Sequence, residues 1–366
     1  MRVLNCVRSS YLRKVRSRFL LLAIVGLLFT ASRASLAQSN GVEELVYPDS
    51  SVQRSAAWTD EMSGESSEPS AVEPYSDSWQ PYDGSCDCQC DCDGGLGFCC
   101  LGDLIKQTDH CYDNFISPMT NPVFFEDPRN LTEARLIFLN HKVPQAAAGG
   151  DIQLYALQVR AALTDRLSLI ATKDGYIVSS NPLIDDGWAD VSAGLKYLLY
   201  SDPANQVLAS GGVVYEMPVG SHQSLQGLGD GTFDLFLSGG SQLCCHGHWI
   251  GAGGFVLPTD HNDNSTWCYV SNHFDYEFRE RWYSLVEVNW YHWLRSGDNG
   301  IPGVEGGDLF NFGSTGVAGN NIVTGAFGVK YKPTRNQEVG VAWELPLTER
   351  RDVLENRLTF DWILRY

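Results

Sequence analysis

The chain has 366 residues, 26 of them Lys or Arg and 44 of them Asp or Glu, so its formal net charge is −18 at pH 7. This acidic balance argues against nucleic acid and against anionic surfaces as partners. Beyond the first 40 residues no apolar run approaches the length of about 18 that marks a transmembrane helix. Two classes remain: an exported soluble β protein, and a transmembrane β-barrel, whose short strands give a weak hydropathy signal.

The first 37 residues are typical of a secretory signal peptide. A basic leader without acids precedes an apolar run from Phe19 to Phe29, and a stretch of small residues ends at Ala37. The apolar run is too short to cross a bilayer, which needs about 20 residues. A buried core helix, the alternative, fits this basic context poorly. We therefore predict export, with cleavage after about Ala37.

Two segments of low periodicity lie before the first predicted strand. Residues 38–85 are rich in Ser and acids and carry little apolar surface, so we predict a disordered acidic linker. Residues 112–132 include the Pro-rich stretch ISPMTNPVFFEDPR, which shows no clear period. This segment is either a connector or a plug that folds into the barrel.

Residues 86–111 form a Cys-rich module that begins CDCQCDCDGGLGFCC. Export favours disulfides, whereas thiolate and imidazole groups also suit zinc or copper. Both interpretations stay open, and no other cofactor is predicted. We expect barrel folding not to depend on this module. The candidate disulfide or metal residues, including four in a predicted periplasmic turn, are Cys86, Cys88, Cys90, Cys92, Cys99, Cys100, Cys111, Cys244, Cys245, His246 and His248.

From residue 133 onward the hydrophobic pattern has a period of two. In the last segment Leu358, Phe360 and Trp362 alternate with Thr359 and Asp361, as a strand with one apolar and one polar face requires. These segments are longer than the usual strand of about 5–6 residues, and a tilted strand of about 9–11 residues crosses a membrane. The predicted strands are 133–142, 151–164, 166–175, 188–200, 206–217, 231–243, 248–258, 266–279, 282–295, 321–332, 336–346 and 353–366.

The connections alternate between long Gly- and Asp-rich loops, such as 218–230 and 296–320, and tight turns such as PTRN. This rhythm is typical of a meander barrel with short periplasmic turns and longer outer loops, and a soluble β-sandwich would seldom produce it. The sequence therefore predicts an all-β fold. We expect an antiparallel up-and-down transmembrane β-barrel of about twelve strands over residues 133–366, in the outer membrane. The disordered, Cys-rich N-terminal tail is expected outside it, on the periplasmic side.

Three stretches resemble one family of outer-membrane barrels: DGWADVSAGLKYLLY at 186–200, YEMPVG at 215–220 and GLGDGTFDLFLSGG at 227–240. They are similar to the transporter-like MetA-pathway phenol-degradation family, with its G-x-x-D-x-x-x-G-x-K-Y strand and G-L-G-x-G-x-x-D strand start. The resemblance is looser after 240 and leaves residues 38–130 uncovered. It implies a barrel with an uptake role. The terminal pattern Phe360, Trp362, Leu364 and Tyr366 also resembles the signal that the barrel-assembly machinery reads.

If the apolar stripes face lipid, the opposite faces line the lumen, because a charge at the lipid midplane costs about 2–4 kcal/mol. Such charges either tune selectivity or pair across a narrow interior and hold the barrel together. The pore-lining candidates are Arg160, Lys196, Glu216, Asp234, His273, Asp275, Glu277, Arg279, Glu287, Glu338, Glu344, Asp361 and Arg365.

We predict a channel for passive uptake of small, hydrophobic or aromatic solutes, with outer-membrane lipid, the barrel-assembly machinery and the solute as partners. The alternative is a structural anchor or surface protein that transports nothing. An enzyme is not predicted: Ser271 and His273 share a strand face, but a separation of about 6.6 Å between their Cα atoms does not direct one towards the other. No nucleic acid partner is predicted.

Overall fold

The computed structural model describes residues 105–366. The predictions of a signal peptide, an acidic linker and most of the Cys-rich module concern residues 1–104 and lie outside this range. Short 3-10 turns lie at His110–Tyr112, Gln145–Ala147, Pro203–Asn205 and His222–Ser224. No helix among the described residues is long and apolar enough to span a membrane.

Fourteen strands make up the sheet that residues 105–366 form. They are β1 Glu133–Lys142, β2 Asp151–Ala162, β3 Leu167–Lys173, β4 Tyr176–Ser179, β5 Gly187–Trp188, β6 Val191–Asp202, β7 Val207–Met217, β8 Thr232–Cys244, β9 Gly247–Pro258, β10 Thr266–Arg279, β11 Trp282–Arg295, β12 Asn321–Thr334, β13 Gln337–Pro346 and β14 Asn356–Arg365.

The sheet closes on itself into a barrel. Each strand pairs antiparallel with its neighbours, and β14 returns to β1 with a register that runs from Glu133 opposite Arg365 to Lys142 opposite Asn356. β3 and β4 are two parts of one barrel strand, because both pair with β2. β5 and β6 likewise continue each other across the next position. The barrel therefore has twelve strands, which confirms the predicted fold.

The break between β3 and β4 is the main departure from the predicted strands. Gly175 has a φ of +118°, and a Cβ there would lie 2.4 Å from the Tyr155 carbonyl oxygen. The Asp174 carboxylate accepts a hydrogen bond from the Leu157 amide at 2.9 Å, so this backbone group of β2 stays paired across the bulge. The strand resumes as β4, a stretch that the sequence analysis left outside any strand.

The outer surface of the barrel is apolar. Leu195, Val286 and Phe327 are about half exposed on it, although a water-soluble fold would bury such side chains. Aromatic side chains flank this band near both ends, as in transmembrane barrels. The exposed aromatics include Tyr197, Tyr200, Tyr276, Phe278, Trp282, Trp362 and Tyr366 near one end, and Tyr176, Trp188, Phe233 and Trp343 near the other.

We call the two ends of the barrel the turn end and the loop end. The turn end holds the tight connections at 163–166, 203–206, 245–246, 280–281 and 335–336, and the loop end holds the longer ones. The chain enters and leaves at the turn end, where the Thr108 amide donates to the Tyr366 carbonyl and the Tyr366 amide donates to the Thr132 carbonyl. Both ends of the described chain therefore lie on the side predicted to be periplasmic.

Candidate functional site in the barrel lumen

Residues 112–131, which we call the plug, lie inside the barrel. Every residue from 115 to 131 is buried. The Tyr112 hydroxyl bonds Ser201 at the turn end, Thr120 bonds the middle of β11, Phe124 packs against Trp267 near the loop end, and Asn130 bonds the Thr164 carbonyl back at the turn end. The segment thus enters the lumen and returns. Of the two interpretations of residues 112–132, the observed packing is that of a plug.

One carboxylate holds the plug at Met119 and Thr120. Glu287 accepts the Met119 amide at 2.7 Å, the Thr120 amide at 2.6 Å and also the Thr120 hydroxyl. Glu287 Oε1, which accepts the Met119 amide, also bonds His273 Nδ1 at 2.6 Å, and His273 Nε2 lies 3.3 Å from Asp275. Because all these groups are buried, the plug supplies donors that the carboxylate would otherwise lack.

The returning arm of the plug carries its own charges. Glu126 pairs with Arg160 at 2.6 Å and with Lys196 at 2.7 Å. The Lys196 ammonium also donates to the carbonyl oxygens of Asp127 and Arg129 at 2.7 and 2.8 Å. Charge-assisted bonds of this kind are short and roughly twice as strong as neutral ones. The arm is therefore fixed to β2 and β6 by ion pairs and by its backbone.

The entering arm meets a second charged group near the turn end. Glu338 accepts the Ser117 amide at 3.0 Å and pairs with Arg365 at 2.6 Å. Lys330 lies 3.4 Å from Glu338 and 2.9 Å from Asp361. Such buried pairs cost desolvation, and their main consequence is that losing one partner leaves a buried charge without compensation.

Most predicted pore-lining residues face inward, but they do not line open water. Glu287, Glu338 and Asp361 have exposed fractions of 0% to the nearest percent, so this part of the lumen is filled. Glu277 is partly exposed, and Arg279 is exposed because it ends β10 after a register shift at the turn end. Glu216 is half-buried. The buried, inward-facing candidates are Arg160, Lys196, Asp234, His273, Asp275, Glu287, Glu338, Glu344, Asp361 and Arg365.

The loop that spans 296–320, which we call the cap, covers the lumen from the loop end. Asp308 forms a bidentate pair with Arg357 of β14, at 2.6 and 2.7 Å. Leu309, Phe310 and Phe312 are buried in a cluster with inward-facing residues of β1, β2 and β4. Burial raises the pKa of Glu305 in this loop, while hydrogen bonds from Ser265 and two backbone amides offset part of that effect. Plug and cap thus fill the lumen from opposite ends.

Two narrow pockets lie in the lumen towards the loop end, beside the cap. The apolar pocket is lined by Val123 of the plug, Leu309 and Phe310 of the cap, and wall residues including Ile152 and Ile177. The polar pocket lies beside it and is lined by residues that include Asp190, Glu216, Thr232 and Asn264. Lys173 and Gln226 line both pockets, so the two adjoin each other.

The candidate metal residues do not converge in the described part of the chain. Cys244, Cys245 and His246 are exposed at a turn, whereas strand alternation turns His248 into the lumen, where it bonds Asp275 at 2.7 Å. Within residues 105–366 no group of three or more His, Cys, Asp or Glu side chains is placed to hold a metal ion. The Cys residues at positions 86–100 lie outside this range, so the choice between disulfides and metal there stays a prediction.

The other sequence-predicted residues are placed as follows. Ser271 bonds Asn121 of the plug at 3.0 Å, while His273 bonds Glu287 and Asp275, so the two do not form a nucleophile–base pair. The residues proposed as an assembly signal, namely Phe360, Trp362, Leu364 and Tyr366, lie exposed on the outer surface. Their recognition by the assembly machinery stays a prediction.

Sequence analysis missed the plug charges Glu126, Asp127 and Arg129, and the lumen lysines Lys330 and Lys332. The period-two pattern also predicts that the two lysines face inward, because they alternate with outward positions of β12. The plug charges carried no such signal, since the segment is irregular and its partners lie far away in the sequence.

No protein-family profile matches the chain, and no curated protein matches it. Among solved structures it is similar to an outer membrane channel from Pseudomonas putida F1, with 12% identity, 69% of this chain and 100% of that chain covered, and a TM-score of 0.48. It is also similar to the NanC porin (7% identity, 64% and 98% covered, TM-score 0.42). The KdgM porin, solved in complex with disordered oligogalacturonate, shares 9% identity at the same coverage with a TM-score of 0.39.

Proposed function

We propose that this protein is an outer-membrane channel for passive uptake of small solutes, and that the plug gates it. The observation that supports this proposal is the nature of the plug's contacts. The barrel closes through its own ladder from β1 to β14 and does not need the plug for backbone pairing. Many of the plug's contacts are hydrogen bonds and ion pairs to the wall, for which water can substitute when the plug leaves. Phe115, Ile116 and Phe124 of the plug also pack in buried apolar clusters with wall residues.

Displacement of the plug would expose the inward charges of β2, β6, β10 and β11 to water. Acidic and basic side chains both occur there, so the pore would be polar but would not carry charge of one sign. The apolar pocket near the loop end supports hydrophobic or aromatic solutes as the substrate class, as does the family resemblance of the 186–240 stretch. Residues that hold the plug, such as Glu287 and Arg160, would then set how often the pore opens.

A second candidate is a structural anchor without transport. The filled lumen favours it, because the predicted pore-lining charges Glu287 and Glu338 are fully buried rather than water-exposed. In this case the plug would be a permanent core, and its ion pairs would serve stability alone.

Planar-bilayer conductance of the refolded full chain separates the two candidates. For a gated channel we expect rare openings of the unmodified protein and more frequent openings of Glu287→Gln, because the neutral amide holds the two plug amides less strongly. Glu349→Gln, an exposed change on an outer loop, is the matched control and should behave like the unmodified protein. Silence from all three, in preparations that show folded barrel mobility on gels, would favour the anchor.

A further inference from the structure

We propose that Asp234 and the aromatic rings beside it bind a quaternary ammonium group, and that Phe124 of the plug occupies this place while the lumen is filled. The site lies on the wall near the loop end, on strands β8 and β10. This inference rests on the proposed function, because a solute reaches the site only when the plug moves. It names the chemical class of that solute as an organic cation.

Asp234 differs from the other carboxylates that are buried on the strands. Within residues 105–366 each of the others lies 3.6 Å or less from a nitrogen of Arg, Lys or His, and they are Glu133, Asp275, Glu287, Glu338, Glu344 and Asp361. In the same part of the chain Asp234 forms no ion pair, although it is only 6% exposed. A buried carboxylate without a cation costs free energy that a cationic ligand would partly recover.

A single hydroxyl group serves this carboxylate. The Tyr269 hydroxyl lies 3.1 Å from each oxygen of Asp234 and is their only hydrogen-bond donor among the described residues. Gly254 of β9 makes room for this contact, because a Cβ there would lie 2.7 Å from the Tyr269 oxygen and 2.9 Å from Asp234. One O–H leaves most of the acceptor sites of an ionised carboxylate unused. The group is therefore able to interact with a positive charge.

Aromatic rings lie beside the same carboxylate. The ring centroids of Trp267 and Tyr269 are 5.9 Å apart, and Phe124 of the plug packs on both, at 4.8 and 5.4 Å. The two valines directly opposite Asp234 on β7 and β9 belong to the same buried cluster as these three rings. Aromatic faces attract cations, and grouped rings recognise quaternary ammonium ligands.

The charges that act on Asp234 favour a cation over an anion. Glu216 of β7 and Glu126 of the plug act on it as like charges. The bases beside these two acids are engaged, because Lys173 pairs with Glu216 at 2.6 Å and Lys196 pairs with Glu126 at 2.7 Å. An anionic end would be repelled by Asp234, whereas a cationic end would be attracted.

Phe124 is the occupant that a ligand would replace. Its ring meets Trp267 at an interplanar angle of 81°, an edge-to-face contact. A phenyl ring is close in size to a trimethylammonium group but carries no charge, so it fills the place without balancing Asp234. A quaternary ammonium solute would compete with Phe124 for the two rings and would gain the attraction of the carboxylate as well.

Choline and 3,3-dimethyl-1-butanol test the site, because the second compound replaces the ammonium nitrogen of the first with carbon. Equilibrium dialysis measures their binding to the full chain in lipid nanodiscs, and empty nanodiscs correct for partition into lipid. We expect choline to bind roughly tenfold more tightly than its neutral analogue, since desolvated cation–π contacts favour only the cation. Equal binding of the two compounds, or weaker binding of choline, by both the unmodified protein and Phe124→Ala would overturn the proposal.

Phe124→Ala removes the internal competitor, so the affinity for choline should rise. The matched variant is Phe125→Ala, because Phe125 is the next plug residue and is also buried, but packs with Tyr112 and Phe115 in a different cluster. Both truncations loosen the plug, whereas only Phe124→Ala vacates the rings of the site. We therefore expect a clearly larger gain in Phe124→Ala. Equal gains in the two variants would show that a loose plug, and not the place of Phe124, controls binding.

Asp234→Asn removes the charge and keeps both the side-chain volume and an acceptor for the Tyr269 hydroxyl. Choline and its analogue should then bind alike, while Glu349→Gln, which removes an exposed charge outside the site, should keep the preference. A preference for choline that persists in folded Asp234→Asn would contradict the role of Asp234. If Asp234→Asn does not fold, the preference measured in Phe124→Ala decides.

Conductance separates a failure of the site from a failure of the channel. Selective binding of choline by Phe124→Ala, with neither binding nor conductance in the unmodified protein, would refute gated transport but not the site. Conductance of the unmodified protein, without a preference for choline in it or in Phe124→Ala, would refute the site alone.

Discussion

The two halves of the lumen are built differently although the same strands form both. Near the turn end the inward positions are charged, and they meet an irregular peptide, the plug. Near the loop end they include Ile137, Leu139 and Ile152, and they meet the apolar side chains of the cap. An irregular segment away from water leaves backbone N–H and C=O groups that need partners. In the charged half, wall side chains supply those partners to the plug. In the apolar half, the cap combines apolar packing with the Asp308–Arg357 pair, and its own Glu305 accepts the Phe312 and Ser314 amides.

The largest expected effect lies in the charged half. Glu338→Ala leaves Arg365 and Lys330 buried with reduced compensation, so we expect a loss of about 3–5 kcal/mol in the free energy of unfolding. Urea titration of the protein in lipid vesicles measures it. Glu349→Ala, the exposed control, should change little. A loss below about 1 kcal/mol would mean that water reaches the Glu338 site, and it would contradict the proposed difference between the two halves.

A second prediction separates the interior from the outer surface. Leu195 is 46% exposed on the outer face of β6, so Leu195→Lys should cost roughly 2–4 kcal/mol if that face meets lipid near the midplane. Val219, 64% exposed on a loop at the loop end, is the matched control, and Val219→Lys should be nearly neutral. The same titration measures both, and equal losses would contradict the assigned membrane position.

The third prediction compares two ion pairs that tie the N-terminal segment to the barrel. Glu126 pairs with Arg160 inside the lumen, whereas Lys106 pairs with Asp165 at 2.5 Å on the exposed turn end. We expect Glu126→Gln to raise the open probability in planar bilayers roughly 10- to 100-fold, since a bond between charged groups contributes about 1.5–3 kcal/mol.

The exposed pair provides the control for this measurement. Asp165→Asn should leave the open probability close to that of the unmodified protein, because solvent screens exposed pairs. An equal response of the two variants would show that the plug is not the element that opens.

The smallest effect is expected in the apolar half. Ile152 is fully buried in the cluster with Leu309 and Phe310. Ile152→Val removes one methylene there and should cost about 0.5–1.5 kcal/mol, with little dependence on salt, since no charge is involved. Thermal unfolding checks this, beside Glu338→Ala, whose loss should be several times larger because it leaves buried charges without compensation. Equal losses from the two variants would erase the distinction between the halves.

The sequence by itself determined the barrel and the direction of most wall side chains. Alternation in β6, β13 and β14 shows directly which positions face lipid and which face inward, and the turn residues mark the connections. Both patterns are local, because each can be recognised within a few consecutive residues. The break at Gly175 was missed, since its only mark is one glycine after Asp174. The inward position of Lys196 was predictable, but its partner was not.

Only the tertiary structure decided what fills the lumen. Glu338 bonds an amide of Ser117 more than two hundred positions earlier, and Glu126 meets Lys196 across the interior. No periodic pattern connects such residues, because the plug has no regular backbone and its contacts depend on where a closed barrel brings the inner faces of different strands. The same holds for the two pockets: plug, wall and cap together line the apolar one, and residues of the wall, the outer loops and the cap line the polar one.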